Sequence, residues 1–86
     1  MTLTTISPMP AHVRWDRQAG RPSFVRFAGG QLAINRLRAV RDERRAYRPG
    51  RGPRLTMLVE ARRGEALLVF DARMRRWFVE AIDLAA

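Results

Sequence analysis

Apolar residues along this chain fall in short runs, alternate with polar ones, and are separated by glycine-marked turns. The clearest breaks are Ala19-Gly20-Arg21-Pro22, Gly29-Gly30 and Arg63-Gly64, with a weaker one inside Asp71-Ala72-Arg73-Met74-Arg75-Arg76. Short apolar runs between such breaks predict antiparallel strands. With Gly29-Gly30 as a two-residue turn, Phe27 falls opposite Leu32 and Val25 opposite Ile34. Setting Trp15 opposite Val25 brings Val13 opposite Phe27. A three-stranded meander over 12–17, 22–28 and 31–36 results. Its apolar face is Val13, Trp15, Val25, Phe27, Leu32 and Ile34, and the other face carries Arg26 and Ala33.

The C-terminal half repeats the pattern. Arg63-Gly64 as the turn pairs Ala61 with Ala66, Val59 with Leu68 and Met57 with Phe70. A loop at 72–75 then sets Asp71 opposite Arg76, Phe70 opposite Trp77 and Leu68 opposite Val79. One face is Leu55, Met57, Val59, Ala61, Ala66, Leu68, Phe70, Trp77, Val79 and Ala81, with no charge on it. A slip of one residue would mix the faces, so the pattern specifies them strongly. The other face is mixed: Leu58, Val69 and Phe78 form one row, and Glu60, Leu67 and Glu80 the next.

Two meanders, each with one apolar face, should pack on each other. The expected fold is all-β, a five- to six-stranded antiparallel meander forming a small SH3-like partly open barrel or a sandwich. Residues 12–86 make this single domain, and the proline-containing residues 1–11 read as a flexible leader.

The segment 36–54 joins the halves. Ala33, Leu37 and Val40 have helical spacing, whereas a strand would need a bulge near Asn35-Arg36 to carry the apolar parity on to Leu37. The bulged strand, reaching about Tyr47, is favoured over the helix. Either element must stop at Pro49-Gly50-Arg51-Gly52-Pro53.

Composition adds function classes to exclude. The chain has 86 residues, no cysteine and no lysine, and its 17 arginines against 8 acids give +9. Disulfides, thiolate ligands, Schiff-base lysines and a P-loop lysine are all ruled out. No run approaches the ~20 apolar residues of a membrane helix, and residues 1–11 lack the basic and apolar regions of a signal peptide. A cytoplasmic protein without membrane contact is expected. The arginine bias follows in part from base composition, yet the charge excess is physical and attracts polyanions.

The densest basic stretch is the connector. Arg36, Arg38, Arg41, Arg44, Arg45, Arg48, Arg51 and Arg54 stand there against only Asp42 and Glu43, with Tyr47 among them. Arginine's planar fork matches phosphate and stacks on bases, and a tyrosine can stack a base. These nine residues are the candidate nucleic-acid-binding set, for DNA or RNA. The bland alternative is a solvated face. Phe78 with Leu58 and Val69 is a second candidate, a docking face for a protein partner or a second copy of the chain. The alternative there is that a loop, the leader or another subunit covers the row. Glu60 and Glu80, roughly 10 Å apart across two strand steps, read as carboxylates paired with Arg62 or Arg76 rather than as an acid pair. His12 is the only histidine, so neither a metal site nor a nucleophilic pair is expected. No cofactor is expected, and too few reactive groups remain for an enzyme.

Gly20-Arg21-Pro22 followed by Phe24 and Phe27, a glycine turn and strand running into arginines, Gly64, the Leu67–Asp71 strand and Arg76-Trp77 together resemble a small bacterial domain family. That family occurs free-standing and as a tail on error-prone, Y-family-like polymerase proteins. The resemblance covers residues 12–83 and has no catalytic motif. It implies an accessory role in DNA repair or replication, with a polymerase as a protein partner.

Overall fold

The computed structural model describes residues 3–84, and these form six strands: β1 (Thr4–Asp16), β2 (Arg21–Phe27), β3 (Gly30–Glu43), β4 (Arg54–Ala61), β5 (Gly64–Asp71) and β6 (Arg76–Leu84). Each pairs antiparallel with the next, and β6 returns to β1, closing a barrel. The all-β expectation holds, and the choice between barrel and sandwich falls to the barrel. No helix among the described residues is long and apolar enough to cross a membrane.

Closure comes from residues expected to be a leader. Thr4 and Thr5 pair with Ile82 and Ala81, and Met9, Pro10 and Ala11 with Val79, Phe78 and Trp77. Ile6, Met9 and Ala11 pack against the core. Residues 4–11 are therefore the first half of β1; residues 1–2 of the expected leader, and 85–86 of the expected domain, lie outside the described part. Pro8, which with Pro10 suggested a loose segment, falls where the β1–β6 register breaks between Thr5 and Met9, whereas Pro10 stands in register opposite Phe78. A strand residue without an N–H fits best at such a break.

The predicted faces hold except at Trp15, and three of the predicted registers are displaced. Val13, not Trp15, pairs with Val25, and Ala11, not Val13, with Phe27. Phe27 pairs with Gly30 and Val25 with Leu32, so the turn is Ala28-Gly29. Ala61 pairs with Gly64 and Met57 with Leu68, so the next turn is Arg62-Arg63. Each pairing differs from the expected one by two residues, an even slip that leaves every side chain on its own face. The β5–β6 register is as expected through Asp71–Arg76, Phe70–Trp77 and Leu68–Val79.

Glycine heads β5 because β6 runs against it. A Cβ on Gly64 would lie 1.9 Å from the Asp83 carbonyl oxygen, and its φ is +153°.

Val25, Phe27, Leu32, Ile34, Leu55, Met57, Val59, Ala61, Ala66, Leu68 and Val79 form the core, with Val13, Phe70 and Trp77 packed on it. Trp77 meets Phe70 in a tilted pair at 5.2 Å between ring centroids. Trp15 is the exception to the predicted core. It is 45% exposed, because β1 and β2 shift register between Arg14 and Trp15, setting Trp15 opposite Pro22.

Candidate nucleic-acid interface

The connector is a strand up to Glu43 and irregular from Arg44 to Pro53. The strand alternative for 36–47 prevails over the helix, though it ends four residues short of Tyr47. Register shifts fall between Ile34 and Arg36, where one bulge was expected, and again between Leu37 and Ala39. Two bulges let β3 keep Ile34 and Leu37 toward the core. They also set Arg36 opposite Glu60, Arg41 opposite Thr56 and Glu43 opposite Arg54.

β2 pairs with β3 only through Gly30–Ala33, so beyond Ile34 the strand is held by β4 alone. Arg21 closes the point of separation by donating from Nη1 to the carbonyl oxygens of Ile34 at 2.9 Å and Pro22 at 3.1 Å. The stretch that then runs along β4 carries three arginines, and its free edge is blunted by bulges and charge as exposed edges usually are.

Three of the nine candidate residues are committed to carboxylates. Arg38 Nη1 donates to Glu65 Oε1 at 2.8 Å and lies 3.7 Å from Glu60 Oε2. Glu60 and Glu65 face each other across β4 and β5, so the guanidinium relieves a like-charge pair. Arg44 grips Asp42 with both arms, Nε to Oδ1 at 2.8 Å and Nη2 to Oδ2 at 2.6 Å. That grip, with the Arg44 backbone N–H on Oδ1, lowers the Asp42 carboxyl to about 2 and raises Arg44 in turn. Arg54 Nη2 donates to Glu80 Oε1 at 2.7 Å, and its side chain is only 16% exposed. Glu60 thus lies in ion-pair distance of Arg38 and Glu80 bonds to Arg54, rather than to the expected Arg62 or Arg76.

The remaining candidates, Arg36, Arg41, Arg45, Tyr47, Arg48 and Arg51, are exposed. None of these arginines reaches a carboxylate among the described residues. Their forks are free for a ligand. The loop that carries the last of them is anchored by Arg51 N–H to the Arg48 carbonyl at 3.1 Å and by Ala72 N–H to the Pro53 carbonyl at 3.0 Å.

The second candidate face is rearranged. Val69 is opposite Phe78 as expected, but its β4 neighbour is Thr56, and Leu58 pairs with Leu67 and Ala39 instead. Val69 is 2% exposed although it lies on the outside of the barrel. The Arg54–Glu80 bridge runs from β4 to β6 and so crosses the outer face of β5. Pro10 of β1 stands beside Phe78. Val69 is covered within the chain, whereas Leu58 and Phe78 stay partly exposed.

Comparison with family models, curated proteins and solved structures finds no match for this chain. Among the described residues no three His, Asp or Glu side chains gather as a metal-binding group. Arginines outside the connector are free as well: Arg14, Arg26, Arg75 and Arg76 have no carboxylate in bridging distance among the described residues, although charge density along the chain points only to 36–54. The signal for them was the outward parity of His12 and Arg14 on one strand and Phe24 and Arg26 on the next.

Proposed function

We propose that this protein is a small, non-enzymatic, basic barrel that binds nucleic acid through its phosphates, using the β3–β4 connector. The observation that carries the reading is the division of the arginines. Three of the seventeen are neutralised by carboxylates, and the connector keeps five free guanidinium groups: Arg36, Arg41, Arg45, Arg48 and Arg51. Free, exposed forks spread along one strand and the loop that follows it suit a polyanion with regularly spaced phosphates. Backbone contacts of this kind give affinity with little sequence preference. The resemblance to domains found beside error-prone polymerases supports placing that activity in DNA repair or replication, as part of the same proposal.

Five phosphate contacts would make binding steeply salt-dependent. Affinity for duplex DNA should fall about 10²- to 10³-fold between roughly 50 and 200 mM salt. Fluorescence anisotropy with labelled oligonucleotides measures this directly. Arg45/Arg48/Arg51→Ala should weaken binding and reduce the slope of log affinity on log salt by about 3, one contact per arginine. A salt-independent affinity, or a variant that binds like the parent, would refute the mechanism.

A further inference from the structure

The pairing of β1 with β6 ends at Ala11 and Trp77, while β1 continues along β2 to Asp16. The barrel wall parts there, and two grooves meet across His12 and Val13. One, about 560 Å³, is lined also by Arg75, Arg76 and Trp77. The other, about 580 Å³, is lined by Arg14, Phe24 and Arg26. No carboxylate lines either. The Arg14 guanidinium already lies over the Phe24 ring, 5.6 Å from its centroid.

A comparison of two turns within the chain adds an independent observation. In the β1–β2 turn, Asp16 Oδ1 accepts the N–H groups of Gln18 at 2.9 Å and Ala19 at 3.1 Å, and Gly20 N–H donates to the Asp16 carbonyl at 2.8 Å. In the β5–β6 turn, Asp71 Oδ1 accepts those of Arg73 at 3.0 Å and Met74 at 2.9 Å, and Arg75 N–H donates to the Asp71 carbonyl at 2.7 Å. The two turns have the same construction. The residue closing each has positive φ: +68° at Gly20 and +57° at Arg75. Glycine adopts that conformation freely, whereas arginine is strained in it. Arg75 is also the residue that lines the groove, and strain of this kind collects at ligand sites.

We propose that these two grooves form a track for a single strand of nucleic acid, with a base stacked at Phe24 beside Arg14 and phosphates held by Arg26, Arg75 and Arg76. The proposal rests on the nucleic-acid reading above and extends it to a strand class and a second surface. Base faces are available for stacking in single strands and hidden in duplexes. An aromatic ring set among unneutralised arginines in a concave path is the combination sequence-tolerant single-strand binders use.

The test is anisotropy of the full chain with labelled oligothymidine and oligouridine of about 12 nucleotides, within the span small barrels cover, and with a duplex of equal length. Phe24→Ala should weaken single-strand binding about 5- to 150-fold, the equivalent of one lost stack, and change duplex binding little. Arg75→Gly should weaken single-strand binding, lower its salt slope by about 0.7, and raise Tm by about 4 °C as the strain is relieved. A more stable protein that binds less well is an outcome no purely structural role for Arg75 produces. If both variants bind single strands like the parent while Arg45/Arg48/Arg51→Ala loses binding, the grooves are refuted and the connector reading stands. If Phe24→Ala weakens duplex and single strand alike, the strand class is refuted. If the parent binds no probe at about 50 mM salt, both readings fall.

Discussion

Gly64 shows how much a single position can depend on its neighbour's backbone. The clash of an added Cβ with the Asp83 carbonyl is with main chain, which cannot rotate aside, and the positive φ adds to it. Gly64→Ala should cost about 3 kcal/mol or more, measured by urea denaturation; a loss below about 1 kcal/mol would mean that β6 can retreat from β5. Asp42 gives a second residue-scale prediction. Hydrogen bonds from the Arg44 side chain, then from its backbone N–H, hold the carboxyl at about 2 against an ordinary 3.8. The folded value lies below the unfolded one, so the pair's contribution is complete above pH ~4. It is lost as pH falls through about 2. Carboxyl NMR should follow Asp42 titrating near 2 in the parent and near ~4 in Arg44→Ala. An unchanged midpoint would remove Arg44 as the cause. Position 42 was legible only as one of two acids among eight arginines; which arginine takes it depends on how the chain bends after Glu43.

At the scale of elements, faces were easier to read than registers. Alternation is a property of each strand alone, so the inner faces of β2, β4 and β5 stood out at once. Register depends on turn geometry and on the strand across, and two turns moved toward the N-terminus by one position with no change of face. The outer row suffered more, because an even slip changes who stands beside whom: Leu58 left Val69, and Thr56 replaced it. The Arg54–Glu80 strap took over the cover of Val69. Arg54→Ala should therefore cost about 1–2 kcal/mol, from the lost bridge and the lost packing of the arginine stem. Glu80→Gln, which keeps the shape and an acceptor, should cost less than ~1 kcal/mol. Equal losses in the two variants, compared by urea denaturation, would show that charge alone matters and that the stem covers nothing.

The molecule as a whole depends on residues 4–11. Without them β6 has one partner, and the barrel is an open sheet with an unpaired edge. Ile6 and Met9 also leave the core. Each side chain contributes on the order of 1.5–3 kcal/mol when buried, and both are only partly so. Folded domains are stable by ~0.05–0.15 kcal/mol per residue in total. Deletion of residues 1–9 should then abolish the cooperative thermal transition; a truncated chain that melts like the parent would mean that β1 is dispensable for closure. Charge is the other property of the whole. With most arginines unneutralised, the barrel presents positive charge both along the connector and at the grooves beside β1.

The pattern along the chain was enough to show that it is all-β, where most of its strands run, which side of β2, β4 and β5 faces inward, and that arginine gathers between Ile34 and Leu55. These properties are local: they follow from period-two alternation, from glycine and proline at breaks, and from counting charges. Tertiary structure alone decided that the supposed leader closes the barrel and that Trp15 turns outward. It also decided that Arg38, Arg44 and Arg54 are spent on carboxylates while Arg75 and Arg76 line a groove with His12. Each of those outcomes depends on what lies across a strand pair or beyond a bulge, and such contacts join residues far apart in the chain, where no local pattern records them.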